Sequence, residues 1–141
     1  MFIKQISIFV ENKKGRLAEI TKILSDNDID IRALSIADTK DFGILRLIVN
    51  KPEQAATALK EAGLTVSITN VIAVAVDDKT GALAGLMEKI STTELSIEYM
   101  YAFIGSNNGK AYIILRVDDN EKSVEIFSKN GIVVVCEKEI Y

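Results

Sequence analysis

From residue 5 the chain alternates, with Ile6, Ile8 and Val10 interleaved with Gln5, Ser7 and Phe9, a period of two that predicts a strand with one core face. From Gly15 the period lengthens. Leu17, Ile20, Ile23 and Leu24 recur at helical spacing to about Ser25, and Asp26-Asn27-Asp28 ends that helix with turn-favouring residues. Ile29 to Asp38 predicts a second strand, Thr39-Lys40-Asp41 a hairpin and Gly43 to Val49 a third strand. Asn50 is placed to cap the next helix, with Glu53 as its capping-box partner and Pro52 inside the first turn, where a missing N–H costs nothing. Ala55, Ala58, Leu59 and Ala62 make a small-residue stripe that lets this helix lie close to a sheet. Gly63 falls at the C′ position, and Leu64 to Thr69 supplies a fourth strand. The order is β-α-β-β-α-β.

The same order then repeats. Glu11-Asn12-Lys13-Lys14-Gly15-Arg16-Leu17 is echoed sixty-six residues later by Asp77-Asp78-Lys79-Thr80-Gly81-Ala82-Leu83, and the match continues through Ser25/Ser91 and Ile31/Ile97. From Val49/Val117 the offset is sixty-eight, which a two-residue insertion in the hairpin around Gly105 to Lys110 explains. Val71 to Val76 is the first strand of the second copy. Gly81 to Ser91 is a helix with Leu83, Leu86, Met87 and Ile90 inward, and Leu95 to Ile104 and Ala111 to Val117 are two more strands. Asp118 and Glu121 reproduce the capping pair, Val124 and Phe127 anchor the last helix, Gly131 ends it, and Ile132 to Cys136 closes the sheet. The pattern predicts an α+β chain of two ferredoxin-like βαββαβ units in tandem, 1–69 and 70–141, with antiparallel sheets and helices on one face.

The other face then carries Gln5, Ser7 and Phe9 from one strand and Ile44, Arg46 and Ile48 from another. That is too apolar for open water and points to a second copy covering it. Tyr99, Tyr101 and Phe103 alternate on one face of a strand, which reads as packing.

Composition narrows the function. The 141 residues are 48% hydrophobic and 26% charged with a net charge of −3, a balance that fits a folded core and argues against a nucleic-acid or membrane surface. No apolar run approaches the ~20 residues a bilayer demands, and Met1-Phe2-Ile3-Lys4 leads straight into a strand, so a cytoplasmic protein is expected. The chain has no histidine, no metal-ligand cluster and no phosphate loop, so acid–base, zinc and nucleotide chemistry lack their parts; neither catalysis nor a cofactor is expected. The single cysteine, Cys136, lies in an apolar run and reads as a buried, inert thiol.

The echoed loop carries the candidate chemistry. A βαββαβ unit whose first turn reads Asn-x-x-Gly-x-Leu, here Asn12, Gly15 and Leu17, with Asp30-Ile31 opening the second strand, resembles the ACT domain family. The resemblance covers the chain twice, as in a stand-alone tandem ACT protein. It implies a regulatory protein, not an enzyme, that holds an amino acid between the loop of one unit and the second strand of a neighbour. It also implies a homodimer and a partner enzyme of amino-acid metabolism. By position the binding residues would be Asn12, Lys13, Lys14, Gly15, Arg16, Leu17 and Asp30 in the first copy. In the second they would be Asp78, Thr80, Gly81, Ala82, Leu83 and Ser96, with Asp78 standing where the motif has Asn.

Elementary physics supports such a loop, because a helix N-terminus presents unpaired amides to a carboxylate-sized anion. Asp30, Asp78 and the Asn12 side-chain oxygen are acceptors for an ammonium. Plainer readings remain beside it: glycine serving a tight turn, Asn12 and Asp78 as helix caps, the lysines and Arg16 as solvated charges. A dimerisation or docking module without a ligand is the alternative function.

Overall fold

The computed structural model describes residues 2–38, 40–104 and 109–141, and the chain divides into two compact units, Lys4–Thr69 and Asn70–Tyr141, with Phe2 and Ile3 grouped with the second. The expected insertion around Gly105 to Lys110 and the tip of the first hairpin, Thr39, fall largely outside the described residues.

In the first unit the elements run β1 (Ile3–Glu11), α1 (Arg16–Asp26), β2 (Ile31–Asp38), β3 (Phe42–Val49), α2 (Pro52–Glu61) and β4 (Thr65–Asp77). The strand order is β2-β3-β1-β4, with β3 antiparallel to both β1 and β2. Register puts Ile6 opposite Leu47 and Ile8 opposite Leu45, so one face of both strands is aliphatic. That face closes over Ile20 and Leu24 of α1 and Ala55 and Leu59 of α2, all buried. The alanine at 55 allows the close approach that a larger side chain would prevent.

The second unit continues from β4 through α3 (Ala82–Ser91), β5 (Ile97–Ile104), β6 (Lys110–Val117), α4 (Asn120–Lys129), β7 (Val133–Val135) and α5 (Glu137–Ile140). Residues 73–75 of β4 pair with β6 on one side and β7 on the other, giving the order β7-β4-β6-β5. Its core gathers Ile72, Val74, Leu86, Ile90, Ile113, Leu115 and Phe127, with Phe2 packed against it. The result is α+β with antiparallel strands and helices on one face, as the periodicities predict.

Three helices end alike. After α1, α2 and α4 the residue at C′ has positive φ (Asp28 at 54°, Gly63 at 87°, Gly131 at 65°), and the following aliphatic residue donates its N–H to the carbonyl five residues back. These are Schellman closures, in which Ile29, Leu64 and Ile132 turn into the core. Asp28 does what glycine does in the other two, and its carboxylate is held by Lys51 Nζ at 2.8 Å.

Several expectations need correction. The two strands expected at 64–69 and 71–76 are one strand, Thr65–Asp77. Its first half is Thr-Val-Ser-Ile-Thr with no Gly or Pro, and a single Asn70 does not interrupt so β-prone a run. Asn50 does not cap α2: the N-cap is Lys51, whose side chain makes no capping bond, while Asn50 Oδ1 accepts from the Asp30 N–H at 3.0 Å. Glu53 pairs with Lys4 instead of closing a capping box. In the second copy Asp118 Oδ1 accepts from the Ser96 N–H at 3.0 Å, and the cap of α4 falls one residue later, at Asp119, which accepts from the Lys122 N–H at 2.9 Å. A short polar side chain at a strand end has both the next helix and the neighbouring strand within reach. Here the strand wins twice.

The exposed-face expectation also narrows. Gln5, Ser7 and Phe9 do lie opposite Ile48, Arg46 and Ile44, yet Gln5 and Ile48 are wholly buried within the single chain. Among the described residues, the large exposed apolar groups on that face are Phe9 and its stacking partner Phe42, 5.3 Å away. Tyr99, Tyr101 and Phe103 lie opposite Arg116, Ile114 and Tyr112, half-buried, which agrees with packing. Cys136 is exposed, not buried, because β7 stops at Val135 and the chain turns into α5, where Glu139 accepts from the Cys136 N–H at 2.8 Å.

Two outcomes follow from these placements. Asp118→Ala and Asp119→Ala should each cost about 1 kcal/mol. Hydrogen exchange separates them: the first speeds the Ser96 amide, the second the Lys122 amide, and the reverse pattern would restore Asp118 as the cap. The Cys136 thiol should react with a thiol reagent in the native protein at the rate of an exposed cysteine, without waiting for unfolding.

Candidate functional site

The loop after β1 is built from backbone. Asn12 N–H donates to Asp41 O at 2.9 Å, Lys13 N–H to Glu11 O at 2.8 Å, Arg16 N–H to Lys13 O at 3.2 Å and Glu19 N–H to Gly15 O at 3.0 Å. The second copy repeats each bond: Asp78 to Gly109 at 2.9 Å, Lys79 to Asp77 at 2.9 Å, Ala82 to Lys79 at 3.2 Å and Gly85 to Gly81 at 3.0 Å. In both, the glycine is the N-cap and left-handed, Gly15 at φ 85° and Gly81 at φ 89°. A Cβ at either would meet nothing within 4 Å, so glycine is required by its dihedral and not by crowding.

Neither helix has a side-chain cap. Asn12 and Asp78 are therefore not caps. Asn12 Nδ2 donates to Lys40 O at 3.1 Å, which fixes the carboxamide with its oxygen as the acceptor end. The first-turn amides of α1 are left with no side chain to satisfy them, the condition for receiving an anion.

A cleft of about 350 Å³ opens beside this loop. Of the expected residues, Asn12, Lys13, Gly15, Arg16 and Leu17 line it and Lys14 does not. Val10, Glu11, Ala18, Ile36 and Gly43 complete it. The Lys13 ammonium, 2.5 Å from the Glu11 carboxylate, holds that carboxyl below its usual range. Arg16 Nη1 pairs with Glu19 at 2.9 Å on the same helix. The rim thus carries two cations against one lining carboxylate.

Asp30 is not brought to the loop of its own unit. It is exposed, pairs with Arg32 at 3.0 Å and lines a separate depression beside Thr21, Ser25 and Asn50, along the second half of α1. In the second unit the cleft beside α3 is about 280 Å³ and includes Ala82 but not Asp78, Thr80, Gly81, Leu83 or Ser96. It is lined instead by Asp77, Lys79, Lys89 and Lys110, and the hydrogen-bonded Lys110, 2.5 Å away, keeps the Asp77 carboxyl below its usual range. Leu83, expected inward, is 40% exposed, as is Leu17 at 46%.

Ile36 was out of reach of periodicity alone. Alternation gives its face, but only the register, with Ile36 opposite Leu45 and Gly43 opposite Val10, shows that it stands beside the loop.

A family model described as an ACT domain pair matches residues 1–141. Among solved structures, protein BT0572 from Bacteroides thetaiotaomicron is 39% identical and superposes with a TM-score of 0.91, covering 100% of this chain and 96% of its own. The regulatory subunit of aspartate kinase from Thermus thermophilus, in its ligand-free form, shares the fold at 15% identity and a TM-score of 0.65, over 90% of this chain and 91% of its own. The Thermus flavus counterpart does so at 12% identity and the same TM-score of 0.65, over 90% and 88%. No curated protein matches. The glycine-turned loop, the repeated βαββαβ order and these matches agree that the chain belongs to the ACT domain family, as a tandem pair.

Proposed function

We propose that this chain is a regulatory protein that binds an amino acid in the cleft beside the first β1–α1 loop. The domains are 1–69 and 70–141, and the protein works in the cytoplasm as a homodimer that adjusts an enzyme of amino-acid metabolism. The observation that carries this reading is the uncapped N-terminus of α1, whose amides face a cleft of single-metabolite size with Asn12, Lys13 and Arg16 at its rim. Cavities of a few hundred Å³ suit small ligands. The carboxylate would take the first-turn amides of Leu17 and Ala18, and the ammonium the Asn12 oxygen. Asp30, turned away from its own loop, is available to a neighbouring unit's ligand.

Coupling would be linkage. A ligand touching α1 and β2 together favours the arrangement in which both are in place, and it shifts a partner only by its differential affinity. The exposed Leu34 and Ile36 on the edge strand β2 favour a second reading, a docking module that binds no amino acid.

Thermal unfolding against the twenty amino acids separates the two. Ligand at 100-fold over its Kd adds about 2.7 kcal/mol, a shift of several degrees, and a flat panel would favour docking. Gly15→Val and Gly63→Val should each cost about 1–2 kcal/mol, since both glycines are left-handed with open space at Cβ. Only Gly15→Val should abolish the ligand shift; if Gly63→Val abolishes it too, the loop has no special part.

A further inference from the structure

The walls of the first cleft differ in kind. Every polar lining side chain comes from the contiguous segment Glu11 to Arg16, whereas Val10 of β1, Leu17 and Ala18 of α1 and Ile36 of β2 are apolar. Leu17 and Ile36 are 46% and 41% exposed, while Ile20 on the same helix and Leu45 opposite Ile36 are at most 1% exposed. Two branched aliphatic side chains are thus left partly exposed in the lining of a cleft that also includes the uncapped start of α1.

The repeat sharpens the point, because the loop backbone is the same in both copies and the wall is not. Ile36 corresponds to Ala102, and Gly43 corresponds to Ala111. In the second unit both positions are alanines, neither lines the cleft beside α3, and that cleft has Lys79, Lys89 and Lys110 in its lining instead.

Resting on the reading proposed above, we infer that the first cleft selects an amino acid with an aliphatic or aromatic side chain, and that Ile36 and Leu17 are the residues that select it. With the carboxylate on the first-turn amides of α1, the ligand's side chain would lie against Leu17 and Ile36, which line the same cleft. An apolar side chain there would cover aliphatic surface that Leu17 and Ile36 leave exposed, a gain that a hydroxyl or carboxylate does not bring. A basic side chain would find only Glu11, already held by Lys13.

Calorimetry on the full chain with leucine, isoleucine, phenylalanine, serine, aspartate and lysine tests this. Leucine, isoleucine or phenylalanine should bind at least about tenfold more tightly than the three polar amino acids. Ile36→Ser should weaken that binding about tenfold or more, with Leu17→Ser as the second variant, since both positions are exposed and neither is needed for the core. Tightest binding of serine, aspartate or lysine would overturn the selectivity while leaving an amino-acid site in place, as would an unchanged affinity in both variants. Failure of all six to bind would overturn the site as well.

Discussion

A left-handed glycine at the junction of β1 and α1 is the constraint on which this architecture turns. The chain must leave a strand and start a helix within four residues, and the positive φ of Gly15 accomplishes the reversal without a side-chain cap. An L-residue there would strain the backbone by about 1–2 kcal/mol, a sizeable part of a small domain's stability. The reversal also aligns α1 so that Ile20 and Leu24 meet Ile6, Ile8 and Val10. The same φ recurs at Gly81 and sets α3 on Ile72 and Val74. One dihedral therefore directs both the packing of the helix and the exposure of its first amides.

Once the helix is placed, the core closes by shape. Each unit buries a strand face made of alternating branched aliphatics under two helices, and each helix end after α1, α2 and α4 returns one aliphatic residue to that core. The left-handed residues at the helix ends and those at the helix starts are two uses of one backbone state. They leave little freedom in the connections, which is consistent with loops of only a few residues throughout the described chain.

Much of this was legible before any coordinates. Periods of two and 3.6 gave every major element to within a few residues, and the echo between Glu11–Leu17 and Asp77–Leu83 gave the duplication. What escaped was decided by competition between neighbours in space. Asn50 and Asp118 look like caps because cap chemistry is local, but the amides of Asp30 and Ser96, about twenty residues away in sequence, lie closer to hand. Cys136 looks buried because it ends an apolar run, and it surfaces because α5 begins at the next residue. The loop half of the candidate site was legible for the same reason that caps are, since it is contiguous. Ile36 and Gly43 belong to it only through strand register, which no window along the chain contains.

The division between loop and wall has a mechanical consequence. A loop held by backbone bonds and a glycine keeps its geometry whatever side chains stand at 13, 14 and 16, so on the proposed reading it would supply affinity for a carboxylate but little discrimination among amino acids. On the proposed reading, discrimination would come from side chains on other elements, here Leu17 on α1 and Ile36 on β2, which line the same cleft. These two residues belong to a helix and an edge strand that share no backbone hydrogen bond. A ligand lodged between them therefore spans a packing contact, and packing contacts are what differ between conformations of a helix-on-sheet fold. On the proposed reading, the residues that would recognise the side chain are the same ones through which its presence would be felt by the rest of the unit, which would join specificity and regulation at one contact.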